Sequence, residues 1–438
     1  MRPLKISIKG DYYDCQIYRG RLYLWDFDGG LKVYDWTSII QSLIKKETDK
    51  IAFTFSFLDG NYLYKSSLIE LFKDKDFKQL LLKKFQRLEN KIFEITQNKL
   101  EKFLIGEQET PTGILPTDTE IYSNQLYFIH DEGLFSGSVH RAKSEKYPVS
   151  SRPVKLWDCN LLSIKANKYP QIALSGGDEG LFELNTSRAQ PENLKKVETK
   201  KPIYQVSSEH SSFSNYSYLN IYNTSLIKES FLATFKWSAK LNPTGQKDIS
   251  RNFEEKITDK FLFKTNSNQH FVSWGIADKI YKARNGGFEI IKFNNYANEE
   301  KGEEKFQILT SLNLQAWKGE VTNGGTAYFG NIVECENALI VILSNNQTIT
   351  IPGPITRWRV YPRSINYENH LHVILDESID IYSFNQDYFL NQEEKAIGIQ
   401  FRNERSASAP RGSYFDDTDV SFFNDTDESL FDDPDLPF

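Results

Sequence analysis

Cysteine is scarce in this chain of 438 residues, and the three present, Cys15, Cys159 and Cys335, lie far apart and are odd in number. That pattern excludes a disulfide framework and fits reduced, buried thiols, so a cytoplasmic setting is expected. No run of eighteen apolar residues occurs, so no membrane-spanning helix is expected. The start MRPLKISIKG has no apolar core of the kind a secretory signal needs. Phosphate-binding loops are missing too: NPTGQKDIS and NGGTAYFGN lack the Gly-x4-Gly-Lys-Ser/Thr spacing that cradles phosphates. No Cys or His pair has zinc spacing. His370 and His372 alternate on a strand-like run, which puts both imidazoles on one face, but nothing nearby completes a metal site. Ser136-Gly137-Ser138 lacks the flanking pattern of a nucleophile elbow and reads as a turn. The sequence therefore points to no metal, no cofactor and no catalytic constellation.

Aromatic residues are abundant, with 31 Phe, 23 Tyr and 7 Trp against a single Met, and such enrichment favours strands. The pentapeptide DEGLF occurs at Asp131–Phe135 and again at Asp178–Phe182, 47 residues apart, each copy between two strand-like runs. Looser copies of the same strand–turn–strand form lie at 20–36, 272–293 and 369–384. In each, Gly supplies a positive φ for a tight hairpin and Asp hydrogen-bonds its own backbone. Placing the leading strand of each unit near 22, 126, 172, 218, 270, 338 and 371 gives seven units, with two spacings of 46 and one of 52. These lengths are close to those of four-stranded propeller blades. On these residues the chain resembles the WD-repeat-like β-propellers across 1–390. It departs from them in lacking the Gly-His dipeptide and in carrying Trp-Asp only at Trp25-Asp26 and Trp157-Asp158. The expected fold is all-β: a single propeller of about seven blades with a helical insertion and a disordered acidic C-terminal tail.

One interval interrupts the repeat. In 66–104, Phe77, Leu81, Phe85, Leu88, Ile92 and Ile95 recur at spacings of four and three, one stripe of an amphipathic helix. Such a stripe must be buried, either on the propeller itself or on a partner; the first is the commoner outcome, and the second would make it a partner helix.

Charge is divided unevenly. From Gly412 to Phe438 there are nine acids and no Lys or Arg, which leaves 53 basic and 50 acidic residues, a net of +3, for the rest. The body is too weakly basic for a sequence-specific DNA binder, so nucleic acid is expected only indirectly. Residues 391–413 read as a linker and 414–438 as a disordered tail, since they offer too little apolar area to offset ordering. The last residues, FDDPDLPF, resemble the acidic tip of bacterial single-stranded DNA-binding proteins. Asp432, Asp433 and Asp435 take acidic places, and Leu436, Pro437 and Phe438 take the aliphatic, proline and terminal aromatic places. Pro434 breaks the family's continuous acid run, and the family's OB-fold core is not visible. A partner can bury the Phe ring while Arg or Lys pairs its α-carboxylate, with the acids speeding encounter. The resemblance implies a protein partner that reads such tips, or a subunit of the chain's own complex. The function expected is a non-enzymatic scaffold in a bacterial or phage-related DNA-processing or defence complex. Two alternatives stay open: a propeller enzyme or small-ligand sensor using the central channel, and a platform working through the 66–104 insertion.

Overall fold

A computed structural model describes residues 2–58, 74–109, 115–122, 124–139, 148–150, 152–166, 171–185, 198–199, 207–214, 220–225, 227–241, 247–264, 271–276, 279–284, 287–294, 297, 304–313, 319–362, 364 and 366–385. Their strands form seven sheets, six of four strands and one of five. Each four-stranded sheet is antiparallel, and consecutive sheets follow one another along the chain. In blade 1 the order from inside outward is Asp14–Tyr18, Arg21–Trp25, Gly30–Asp35 and Leu104–Glu109. The innermost strands of blades 1 to 6 lie side by side, and that of blade 7, Arg357–Val360, lies against blade 1. Blades 6 and 7 meet through Phe329, Leu339, Leu371 and Val373, so the ring is complete. This is a seven-bladed β-propeller.

The sequence builds the ring by period-two alternation with apolar residues on both faces. In Arg21–Trp25, Leu22 and Leu24 enter the cluster shared with blade 7, while Tyr23 and Trp25 enter the one shared with blade 2. The same division gives seven apolar clusters, one between each pair of neighbouring blades. The two DEGLF copies form the turns between the second and third strands of blades 2 and 3. Gly133 there has φ +127°, and a Cβ on it would collide with the Trp157 carbonyl, so only glycine fits.

Blade 7 closes the ring with the chain's first strand. Leu4–Lys9 pairs antiparallel with Ser378–Ser383 and would be an open edge, but Ile92–Ile95 pairs parallel to it, with Lys5 opposite Ile92 and Ile8 opposite Ile95. That fifth strand comes from the insertion in blade 1 and satisfies backbone groups that would otherwise invite aggregation.

The insertion corrects one expectation. Asp74 caps the helix Lys75–Leu88 by accepting from the Asp76 and Phe77 amides, and the helix ends at Glu89. Leu81, Phe85 and Leu88 are buried, and Phe77 is partly so, against Phe53, Phe55 and Phe57 of the propeller's own core cluster. Ile92 and Ile95 do not continue the stripe. Asn90 and Lys91 make the turn, and the β-branched and aromatic run after them is a strand, which buries Ile95 and leaves Ile92 64% exposed. Residues 66–73 lie outside the described residues.

Candidate functional site

The densest polar cluster sits where the inner strands of blades 7, 1 and 2 meet. Arg359 grips the fully buried Asp14 with two hydrogen bonds, from Nε at 2.7 Å and from Nη2 at 2.6 Å. Nη2 also donates to Asp118 Oδ1 at 2.8 Å and Nη1 to the Thr119 carbonyl at 3.2 Å. Thr119 Oγ1 donates to Asp14 Oδ2 at 3.0 Å, and Gln16 Nε2 donates to the Thr119 carbonyl at 2.9 Å. Arg357 donates to the Thr117 carbonyl at 3.0 Å, lies 3.6 Å from both carboxylates, and stacks over Tyr13 at 5.2 Å. Asp118 also accepts from the Ile164 amide of blade 3 at 3.0 Å.

Two arginines therefore neutralise two aspartates, and four of the five N–H donors of Arg359 are used. Burial pushes the Asp118 carboxyl up, but Arg359, Lys165 and Arg357 outweigh it and hold the group at about 2. An acid held so low cannot carry protons near neutrality. Burial first, and Asp14 next, push the Cys15 thiol far above the usual range, so it stays protonated near neutrality. This cluster clamps three blades together.

Behind it lies a buried hydrogen-bonded chain. His370 Nε2 faces the Ser56 carbonyl at 2.7 Å and must donate, so its Nδ1 accepts from His372 Nε2 at 3.4 Å. His372 Nδ1 then accepts from Tyr361 Oη at 3.4 Å and sits 3.6 Å from Cys15 Sγ. Burial lowers His370 to about 4 and holds His372 well below the usual imidazole range, with His370 and Arg359 adding to it, so both rings are neutral near pH 7. The pair is packed. Among the described residues no group of three His, Cys, Asp or Glu is placed to hold a metal ion.

A third buried cluster joins blades 4 and 5. The Tyr222 hydroxyl bonds Asp259 Oδ1 and Ser273 Oγ, and Ser273 Oγ donates to Asp259 Oδ2 at 2.8 Å. Burial raises Asp259 to about 6 against the pull of the two hydroxyls.

The outer margin of the same two blades is different in kind. Phe261 is 66% exposed, Ile308 62% and Phe253 38%. Phe261 packs edge-on against Phe306 at 5.8 Å, and Ile308 follows Phe306 on the same strand. An ion pair, Lys305 to Glu255 at 3.2 Å, joins the outer strands of the two blades beside Phe253. From this margin a ribbon projects. Phe231–Leu241 and Lys247–Thr258 pair along their length, whereas Asn220–Thr224 pairs with the first of them only at Phe231–Ala233. Eight further residues, Thr234–Leu241, carry the ribbon about 26 Å past the end of its pairing with Asn220–Thr224.

Of the residues singled out from the sequence, Phe77, Leu81, Phe85 and Leu88 are brought together on one helix, and Ile92 and Ile95 stand on the neighbouring strand. Asp432, Asp433, Asp435, Leu436, Pro437 and Phe438, with the whole of 386–438, lie outside the described residues. The clamp was missed. Its one local signal is Arg357-Trp358-Arg359, two arginines on one face of a strand. Phe253, Phe261 and Ile308 are no different, in sequence, from core residues.

No family model and no curated protein sequence matches the chain. Among solved structures it is similar to Raptor from Chaetomium thermophilum, at 8% identity and TM-score 0.47, covering 87% of this chain and 29% of that one. It is similar also to BBS1N in a complex with ARL6DN, at 9% identity and TM-score 0.46, covering 90% and 100%. A third is the Cps50 (Swd1) β-propeller domain of Myceliophteria thermophila, at 7% identity and TM-score 0.43, covering 86% and 97%. The architecture is read from the strand pairing itself.

Proposed function

We propose that this protein is a non-enzymatic scaffold that holds protein partners on the rim of its propeller. The outer margin of blades 4 and 5 carries this reading. Phe261 and Ile308 are largely exposed there and Phe253 partly so, beside a two-stranded ribbon of a kind only marginally stable on its own. The junction of blades 7, 1 and 2 supports it from the other side, because there Arg359 is spent on Asp14 and Asp118, and His370 and His372 bond each other.

The finer reading is that the acidic segment ending Leu436-Pro437-Phe438 captures a reader of single-strand-binding-protein tips within a DNA-processing or defence complex. What supports it is the likeness of that segment. Two substitutions separate these surfaces. Phe261→Asp with Ile308→Lys should abolish capture of the rim partner with the melting temperature unchanged. Phe438→Ala should release only a partner that an authentic tip peptide also displaces and an amidated one does not. Unaltered capture by the first variant would sink the rim reading, and by the second the tail reading.

A small-ligand reading has one observation in its favour: Arg357 is partly open, and its charge and that of Lys165 both act against protonation of His210, so positive charge gathers there. An anion held there should raise the melting temperature of the wild type and not of Arg357→Gln.

A further inference from the structure

We propose that the outward face of the Lys75–Leu88 helix is a docking surface and that its occupant is the chain's own acidic segment, 414–438. The inference rests on the reading of that segment as a ligand, and adds where it sits when no reader is bound.

The helix has two unlike faces. Leu81, Phe85 and Leu88 anchor it to the core, while Leu80, 57% exposed, shares the outer face with Lys83 and Arg87. Between Lys75 and Leu88 there are five basic residues and one acid, a net of +4, on a body whose net is only +3. Arg87 pairs with Asp49, and Lys84 reaches the Thr48 carbonyl at 3.0 Å. Lys75, Lys83 and Lys91 are exposed and form no ion pair with a described acid. Ile92, on the adjoining strand, adds a second exposed apolar side chain.

The acidic segment matches this face in charge and in kind. Its nine acids are interspersed with Phe415, Phe422, Phe423, Phe431 and Phe438, so it offers rings to Leu80 and Ile92 as well as charge to the lysines. It is also delivered to the right side of the molecule. The last described residue, Asn385, donates to Ser56 Oγ at 3.0 Å, and Ser56 lies between Phe55 and Phe57, which pack in the cluster that holds the helix. A chain of 28 residues, the length of 386–413, can span about 30 Å, enough to reach a helix of the same neighbourhood. A tether of that length puts the segment at an effective concentration of about millimolar, so a weak contact is occupied in cis. Contact of this kind is screened by salt. A reader in trans must then compete with the helix, which makes capture conditional on the reader's affinity.

The test is hydrogen exchange by mass spectrometry on the full chain, wild type against Lys75→Glu/Lys83→Glu/Lys91→Glu, with Lys→Gln at the same sites as a milder variant. At low salt, peptides from 414–438 should exchange at least about five-fold more slowly in the wild type than in the Glu variant, with Gln between. About 0.5 M salt should abolish the difference. Equal exchange at low salt overturns the proposal. So does protection that grows with protein concentration, which would place the segment on a second copy. Loss of reader capture with protection intact would remove only the trans reading.

Discussion

Arg359→Met is the substitution with the largest consequence that the structure specifies. The side chain is nearly buried, and it supplies two hydrogen bonds to Asp14 and one to Asp118. Removing it leaves a fully buried carboxylate with the Thr119 hydroxyl at 3.0 Å and the Cys15 amide at 2.7 Å as donors, and Arg357 at 3.6 Å as the nearest cation. Stranding a buried charge in this way costs about 3–5 kcal/mol. The pH dependence carries a second signature. Asp118 titrates at about 2 rather than 3.8, which contributes about 2.4 kcal/mol at neutral pH. Because the folded value is depressed, that stability is full above about pH 4 and is lost as pH falls toward 2. Arg359 is the strongest of the lowering influences, so the gap between wild type and variant should be widest near neutrality and narrow toward pH 3. Urea denaturation followed by tryptophan fluorescence measures both. The triple variant Arg359→Met/Asp14→Asn/Asp118→Asn, with no stranded charge, should regain at least half of the loss. A single variant within 1 kcal/mol of wild type, or a triple variant no better than the single, refutes the clamp.

Two further outcomes follow from the interior. His370, lowered to about 4 by burial, stays neutral in the fold while its unfolded counterpart gains a proton below about 6.5, so stability falls with pH by about 2 kcal/mol between pH 7 and 5. Asp259, raised to about 6, opposes this by about 1 kcal/mol, so the measurement is the slope of His370→Gln against wild type; identical slopes would refute the assignment. Phe85→Ala, at a fully buried site under the insertion, should cost about 3–5 kcal/mol in the same denaturation assay; a loss below 1 kcal/mol would mean the helix is not packed as described.

The ring was legible because its chemistry is local. A blade strand buries both faces, so its apolar run is nearly continuous, and the turn after its second strand needs Asp and Gly; Asp131–Phe135 and Asp178–Phe182 announce both. The starting marks near 22, 126, 172, 218 and 371 fall at second strands of blades. The mark near 270 falls at the first strand of blade 5, Val272–Ile276, and the one at 338 on the third strand of blade 6. Mixing first, second and third strands stretched one spacing, 270 to 338, to 68 residues and shortened the next, 338 to 371, to 33. The insertion was legible only as far as Leu88, because the spacing of four and three that Ile92 and Ile95 continue is helical arithmetic, and their strand is dictated by an edge supplied from residue 4 onward. No sequence window contains that edge.

The clamp was illegible for the same reason, and its position explains why it is polar. Ring closure is the one junction that joins the two ends of the propeller: Arg359 and Asp14 are 345 residues apart, and Leu4–Lys9 pairs with Ser378–Ser383. Apolar contact alone is indifferent to register along a strand, whereas a bidentate arginine that must also reach Asp118 fixes how blades 7, 1 and 2 meet. The insertion works on the outside of the same junction, since its strand covers Leu4–Lys9 while its helix packs on the cluster beneath. Inner clamp and outer cover therefore hold one seam. The double variant Arg359→Met/Phe85→Ala should therefore lose more stability than the two single losses added together, because each alone leaves the other holding the seam. Strict additivity would show two independent stabilising sites instead.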